Sequence, residues 1–303
     1  MARAIRYERL PTERANRASA GLDRLGALAI ARLMNREDAR AVRAVGRQAR
    51  AIGDAVELIV AALRAGGRLI LVGAGTSGRL GVLEAAECPP TFGTPPRLVQ
   101  GIMAGGRASV FRSKEGAEDD GRAASRAVRA RARAGDVVVG ISASGVTPFV
   151  REALATARRL GARTIMIACN PDRARVPPAD VLIAPVPGPE VLAGSTRLKA
   201  GTTTKLVLNT LTTASMARLG KVYGNRMIDV QPRSRKLRER ATRLVADLGG
   251  VRTPVARRLL RAAGDRVPVA IVMARRGLEA AAAVRVLRAA GSLSAALSSR
   301  RSG

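Results

Sequence analysis

Histidine and tryptophan are absent from this 303-residue chain, and cysteine occurs only twice. Without histidine there is no Ser-His or Cys-His nucleophile, no imidazole acid–base catalyst and no His-ligated metal. Cys88 and Cys169 make neither a disulfide framework nor a zinc knuckle, and so small a number suits a reducing compartment. Aromatic residues are 2% of the chain, which leaves little for nucleobases to stack on. No apolar run is long enough to span a bilayer, and the opening MARAIRYERLPTERANRAS lacks the apolar segment of a secretory leader. The expectation is a soluble cytoplasmic protein with no membrane partner.

What the chain has in excess is arginine. The formal net charge is +30, yet lysine appears only at Lys114, Lys199, Lys205, Lys221 and Lys236. The arginines are scattered through Ala-rich helical segments rather than gathered in one run, so no specific nucleic-acid partner is expected. Charge alone supports non-specific adhesion to polyanions at low salt.

Residues 19–64 carry helical spacing, with Leu22, Leu25, Leu28 and Leu33 recurring at three to five residues and Ser19 placed to cap the first helix. Strand-like apolar runs then recur at 68–73, 98–104, 136–141, 164–168 and 181–185. Helical stretches at 78–86, 106–134 and 148–160 lie between them, and a long helix over about 197–219 follows. Nearly continuous apolar strands joined by helices predict an α/β fold with a parallel sheet covered on both faces. After Gln231-Pro232 the chain turns Arg/Ala/Leu-rich with punctuating glycines, and Val267–Met273 reads equally as strand or helix. The expected organisation is an N-terminal helical segment (1–65), a central domain (66–231) and a small helical C-terminal domain (232–303).

Two strand ends share one chemical character. The run Leu69–Val72 leads into Gly73-Ala74-Gly75-Thr76-Ser77-Gly78, and Val137–Ile141 leads into Ser142-Ala143-Ser144-Gly145-Val146-Thr147-Pro148. The first is neither a full Rossmann fingerprint, since no acidic residue ends a following strand to hold a ribose, nor a Walker loop, lacking Lys-Ser/Thr. Glycines, amides and hydroxyls at a helix N-terminus suit a phosphate monoester. Ser142, Ser144 and Thr147 offer more hydroxyls than capping one helix needs. Gly75, Thr76, Ser77, Ser142, Ser144 and Thr147 are therefore candidate phosphate ligands.

With histidine absent, proton transfer falls to carboxylates. Glu84 and Glu87 are three apart on a helical face, as are Glu115 and Glu118; Asp119 and Asp120 read as a solvated face. Glu87 stands against Cys88-Pro89-Pro90, which is expected to stop its helix. Ser195 and Lys199, at the opening of the long helix, complete the candidate substrate-binding set, and Gly201 suggests close approach of a backbone or ligand.

Taken together, GAGTSGRLGVLEAAECPPTFG (73–93), EGAED (115–119), GISASGVTPFV (140–150), ACNP (168–171), GPEVLAGSTRLKAGTTTKLVLN (188–209) and GKVYGNRMIDV (220–230) resemble the sugar isomerase (SIS) superfamily and, within it, the N-acetylmuramic acid 6-phosphate etherase group. The resemblance implies a five-stranded parallel sheet flanked by helices, a homodimer, a sugar-phosphate substrate and no metal or cofactor. It implies loss of the D-lactyl ether as D-lactate, leaving N-acetylglucosamine 6-phosphate. The family's catalytic pair falls on Glu87 (proton donor) and Glu118 (second acid/base). Val146 stands where the family often has Arg, and Arg173 where a small residue is more usual. Two alternatives stand beside the etherase. One is a non-catalytic sugar-phosphate regulator, as in the related glucokinase regulatory protein; the other is an aldose–ketose isomerase, against which ECPPT and EGAED argue.

Overall fold

The computed structural model describes residues 10–169, 176–229 and 234–298. Two compact units divide the chain: Met1–Ala86 with Arg97–Thr212, and Glu87–Pro96 with Thr213–Gly303. The expected boundary near residue 232, and Arg173, lie outside the described residues.

In the first unit, α1 (Ala27–Gly46) and α2 (Ala49–Arg64) precede the sheet. Ser19 does not cap α1. It ends a short 3-10 turn, its Oγ donating to Asn16 O (3.2 Å), and α1 starts from Gly26 with no side-chain cap. Five parallel strands follow: β1 (Leu69–Gly73), β2 (Val99–Met103), β3 (Val137–Ile141), β4 (Arg163–Ile167) and β5 (Val181–Ile183), in the order β2-β1-β3-β4-β5. All residues of β1 and β3 are buried, which is why both strands read as unbroken apolar runs. Phe149, Val150 and Leu154 of α6 (Pro148–Arg159) join Ile70, Val72, Val138 and Met166 in one core cluster. Each large side chain so buried stabilises by about 1.5–3 kcal/mol. Asp136, fully buried, accepts from Arg68 N (2.9 Å), Arg68 Nε (3.2 Å) and Arg133 N (2.9 Å), fixing the chain where β3 begins.

In this strand order the chain reverses direction between β1 and β3. Doubly wound sheets bind ligands in the crevice outside the carboxyl ends of such a pair. Both hydroxyl-bearing segments leave from there.

Three local expectations fail for identifiable reasons. The helix after β1, α3, spans Gly75–Phe92 rather than 78–86, so Thr76 and Ser77 sit in its first turn. Pro89 and Pro90 lie inside α3 and do not stop it. Proline's φ of about −65° is itself helical, and the helix ends only at Gly93, whose φ is +64°. The expected helix 106–134 splits into α4 (Ala108–Phe111) and α5 (Gly121–Arg129). Between them Glu115 and Glu118 occupy turns, with Gly116 at φ +69° and hydrogen bonds Ala117 N to Lys114 O and Asp119 N to Gly116 O. Asp120 then caps α5 through Ala123 N (2.8 Å). The long helix α7 spans Lys199–Arg218.

The second unit carries a short hairpin, β6 (Val222–Tyr223) and β7 (Arg226–Met227), and the helices α8 (Arg235–Gly249), α9 (Thr253–Ala262), α10 (Val267–Arg276), α11 (Ala280–Ala290) and α12 (Leu293–Ser298). The ambiguous run 267–273 is helix, and it supplies the centre of this unit's core: Val269–Met273 pack with Val245, Leu260, Ala283 and Leu293. Gly250, Gly277 and Gly291 close their helices in the left-handed conformation. Among the described residues no helix is long and apolar enough to cross a membrane.

Candidate functional site

The segment leaving β3 is built around Ser142. Its side chain is buried, and its Oγ lies 2.8 Å from Thr147 Oγ1 and 3.3 Å from Ser144 Oγ while accepting from Gly145 N (3.1 Å). Ser144 Oγ accepts from Val146 N (3.3 Å). Gly145, at φ +75°, lets the chain turn back on itself so that the three hydroxyls converge. Thr147 is the N-cap of α6, yet its side chain makes no cap hydrogen bond. The hydroxyls therefore serve each other rather than the helix end. Val146 is buried.

Leaving β1, α3 begins so abruptly that its first backbone hydrogen bond runs from Gly78 N to Ala74 O (3.1 Å). The amides of Gly75, Thr76 and Ser77 precede it at the positive end of the helix dipole. Gly78 makes this turn possible: a Cβ there would stand 2.4 Å from Met103 Sδ and 2.5 Å from Gly73 O.

Gly75 and Glu118 line one cavity of about 230 Å³, with Arg79, Ser109, Lys114 and Glu115. Glu118 is exposed, and its carbonyl accepts from Phe149 N (2.9 Å) in the first turn of α6. Arg79 holds the far wall, donating to Val110 O (2.8 Å), Ser109 O (3.0 Å) and Ser113 Oγ (3.3 Å). Its guanidinium shapes the segment that carries Glu115 and Glu118.

Glu87, exposed, falls in the second unit, and Glu118 in the first. One helical turn before Glu87, Glu84 is buried and accepts from Lys205 Nζ (2.6 Å) and from Thr212 Oγ1. Among the described residues no three His, Cys, Asp or Glu side chains gather as a metal-ligand set.

Lys199 is placed differently from its expected role. Its side chain is fully buried and its Nζ lies 2.6 Å from Glu37 Oε2, which withdraws the ammonium from an open anion site. Ser195, half-buried, bonds through its backbone to Leu192 O and from Leu198 N. Nor does Gly201 answer to a close approach. A Cβ there would meet Thr196 O at 3.5 Å and Thr76 Cγ2 at 3.7 Å, ordinary contact distances. Those distances nevertheless set the first turns of α7 and α3 side by side. Ala200 packs with Ala143 and Cys169 under the Ser142 loop. Burial, with the charge of Glu190 nearby, pushes the Cys169 thiol up to about 12, so it is no nucleophile.

Reasoning from sequence missed Glu37, Glu190, Asn16 and the bonding role of Arg79. Glu37 left a trace: Leu33, Glu37, Ala41 and Ala44 form the buried stripe of α1, and a carboxylate at its second position demands a partner.

A family model for the glucokinase regulatory protein N-terminal SIS domain matches residues 51–158. An N-acetylmuramic acid 6-phosphate etherase of Gloeobacter violaceus is 54% identical over 293 residues, covering 94% of this chain and 96% of that protein. One from Symbiobacterium thermophilum is 52% identical over 268 residues, covering 88% and 89%. A solved phosphoheptose isomerase from Francisella tularensis shares the fold alone, with TM-score 0.50, 16% identity and coverage of 64% of this chain and all of that one. With more than half of the aligned residues identical to the two etherases over almost their whole length, the chain belongs to the N-acetylmuramic acid 6-phosphate etherase family of SIS-domain proteins.

Proposed function

We propose that this protein cleaves the D-lactyl ether of N-acetylmuramic acid 6-phosphate, as a cytoplasmic carbon–oxygen lyase in the recycling of cell-wall amino sugars. The observation that carries the reading is the convergence of the Ser142 loop, the first turn of α3 and the Glu118 turn at the β1/β3 crevice. Within it, Ser77, Ser142, Ser144 and Thr147, with the amides of Gly75 and Thr76, hold the phosphate. Neutral donors at a helix N-terminus are enough for a dianion.

The chemistry follows from the substrate. In the open-chain sugar the C1 aldehyde acidifies the C2 proton. One carboxylate removes that proton, the C3–O bond breaks, and the other carboxyl protonates the departing lactate. Water then adds at C3 of the unsaturated intermediate. We assign these steps to Glu87 and Glu118, which need different protonation states to act as acid and base. Nothing in the sequence of steps calls for a redox change or an imidazole.

The protein acts as a homodimer in this reading. Leu25, Leu28 and Val42, on and just ahead of α1, are 39%, 65% and 57% exposed, an apolar surface suited to a second copy. Incubating the purified protein with N-acetylmuramic acid 6-phosphate and assaying D-lactate tests the proposal. Equal amounts of D-lactate and N-acetylglucosamine 6-phosphate are expected. Tight binding of the sugar phosphate without D-lactate would instead favour the second reading, a sugar-phosphate regulator like the one whose SIS domain matches residues 51–158.

A further inference from the structure

Behind the hydroxyl loops lies a cluster of buried polar side chains that the proposed chemistry does not use. Lys199 is 0%, Glu190 1%, Glu37 2% and Asn16 8% exposed. Glu37 Oε2 accepts from Lys199 Nζ (2.6 Å) and from Asn16 Nδ2 (2.8 Å); Asn16 also donates to Pro189 O (3.2 Å). Glu190 turns its two oxygens to the start of α7, accepting from Lys199 N (2.8 Å) and Ala200 N (2.9 Å).

Such a cluster is an expensive way to fill space. Apolar side chains of similar volume would avoid the desolvation of three ionisable groups. Its location says what it does. By taking both leading amides of α7, Glu190 closes that helix N-terminus to any other anion, while the α3 N-terminus stays open. What α7 presents to the crevice is Ala200, packed on Ala143 and Cys169, and Gly201, beside Thr76. The first turn of α7 is thus the common wall behind both hydroxyl-bearing segments. Lys199 ties that wall to α1, and Asn16 ties it to the chain just ahead of Glu190.

We infer that Glu37, Lys199 and Glu190 are positioning residues that hold α7 as the fixed wall of the phosphate site, an inference that rests on the sugar-phosphate reading above. They touch no substrate atom. They set the spacing between Thr76 and the Ser142 loop, and so act on phosphate binding rather than on proton transfer.

The test uses the full-length protein carrying Glu37→Gln, Lys199→Met or both. Each is titrated calorimetrically with inorganic phosphate and with N-acetylglucosamine 6-phosphate, and assayed for kcat and KM on N-acetylmuramic acid 6-phosphate. Either single change strands a buried charge and can cost the fold; the double change removes both charges at similar volume and decides the matter. The double variant is expected to unfold cooperatively near the wild-type Tm. It should bind both phosphates at least about tenfold more weakly, with KM raised to match and kcat within about threefold. Wild-type affinity in the double variant overturns the inference, as does a fall in kcat at unchanged KM. Failure of the double variant to fold makes the cluster structural and overturns it too. A wild-type protein that binds both phosphates but releases no D-lactate fails the etherase reading alone and leaves this comparison valid.

Discussion

Phe149 N donates to the carbonyl oxygen of Glu118 across 2.9 Å, so the turn that carries Glu118 and the first turn of α6 are one hydrogen-bonded piece. The backbone of Glu118 is held while its side chain is exposed at the cavity that Gly75 also lines. Glu118→Gln should therefore leave stability within about 0.5 kcal/mol of wild type, as surface changes generally do. A thermal or urea titration checks this, and a large loss would show that the carboxylate is structural.

Ser142 and Ser144 differ in what their loss should do. Ser144 is half-buried and bonds to the Val146 amide, whereas Ser142 is buried and joins Ser144, Thr147 and the Gly145 amide. A hydrogen bond to a charged group is worth about 1.5–3 kcal/mol. Ser144→Ala should weaken binding of N-acetylglucosamine 6-phosphate by roughly ten- to a hundredfold with stability little changed, on the same scale. Ser142→Ala should weaken binding at least as much and also lower Tm, because it removes a buried hydroxyl bonded to Ser144, Thr147 and the Gly145 amide, which keeps only the Ser142 carbonyl as acceptor (3.2 Å). Calorimetric titration beside thermal unfolding separates the two; equal, wild-type affinities would remove this loop from the phosphate site.

Gly78→Ala is expected to be far more damaging than its single added methyl suggests. The new Cβ would stand 2.5 Å from the backbone oxygen of Gly73, an atom that β1 holds in place. Overpacking of this kind costs about 1–3 kcal/mol, and it should distort the α3 N-terminus enough to weaken phosphate binding in parallel. Gly201→Ala is the control, since its Cβ meets ordinary contact distances. Should both variants bind phosphate like wild type, the α3 turn is not part of the site.

The two buried glutamates behind α7 should pull stability in opposite directions with pH. For Glu37, burial raises the carboxyl but is outweighed by hydrogen bonds from Lys199 and Asn16 and by the charges of Lys199 and Arg40. The net effect places it below the ordinary 4.5. Its contribution is full above that value and is lost as pH falls through the lowered one. For Glu190, burial dominates and raises the carboxyl above 4.5 despite its two amide donors and Lys199. The folded state then keeps a proton that the unfolded chain has released, so stability falls as pH rises from 4.5 toward the raised value. Tm recorded between about pH 3 and 7 should show the acid loss shrink in the Glu37→Gln/Lys199→Met double variant and the decline above 4.5 shrink in Glu190→Gln. Unaltered profiles would mean these carboxyls are not the titrating groups.

Much of this architecture was legible in the sequence, and the failures share a cause. Apolar strands such as Val137–Ile141 announce themselves because both faces of the sheet are covered. The hydroxyl segments stand out because no capping role needs three hydroxyls in six residues. Pro89-Pro90 reads as a stop because proline lacks an amide and crowds the carbonyl four residues back, yet both lie in the last turn of α3, which continues to Phe92. The stretch 106–134 reads as one helix from its composition, whereas turns over 115–119, with Gly116 at positive φ, separate α4 from α5. Lys199 resembled an anion ligand in the sequence; its partner Glu37 lies 162 residues away, a separation no local pattern reports.

The central claim is that two carboxylates, Glu87 and Glu118, divide the proton transfers, and exchange at C2 tests it most directly. Wild type, Glu87→Gln and Glu118→Gln are incubated with N-acetylmuramic acid 6-phosphate in deuterated water. D-lactate release and deuterium at C2 are followed together. Glutamine keeps size and hydrogen bonding but cannot pass a proton, so each variant should lose at least about a hundredfold in turnover, the lower end for a positioned acid or base. Both should still bind sugar phosphate. The variant that also loses C2 exchange identifies the base; the other retains exchange without release of lactate. Near wild-type D-lactate release by both variants would contradict the account.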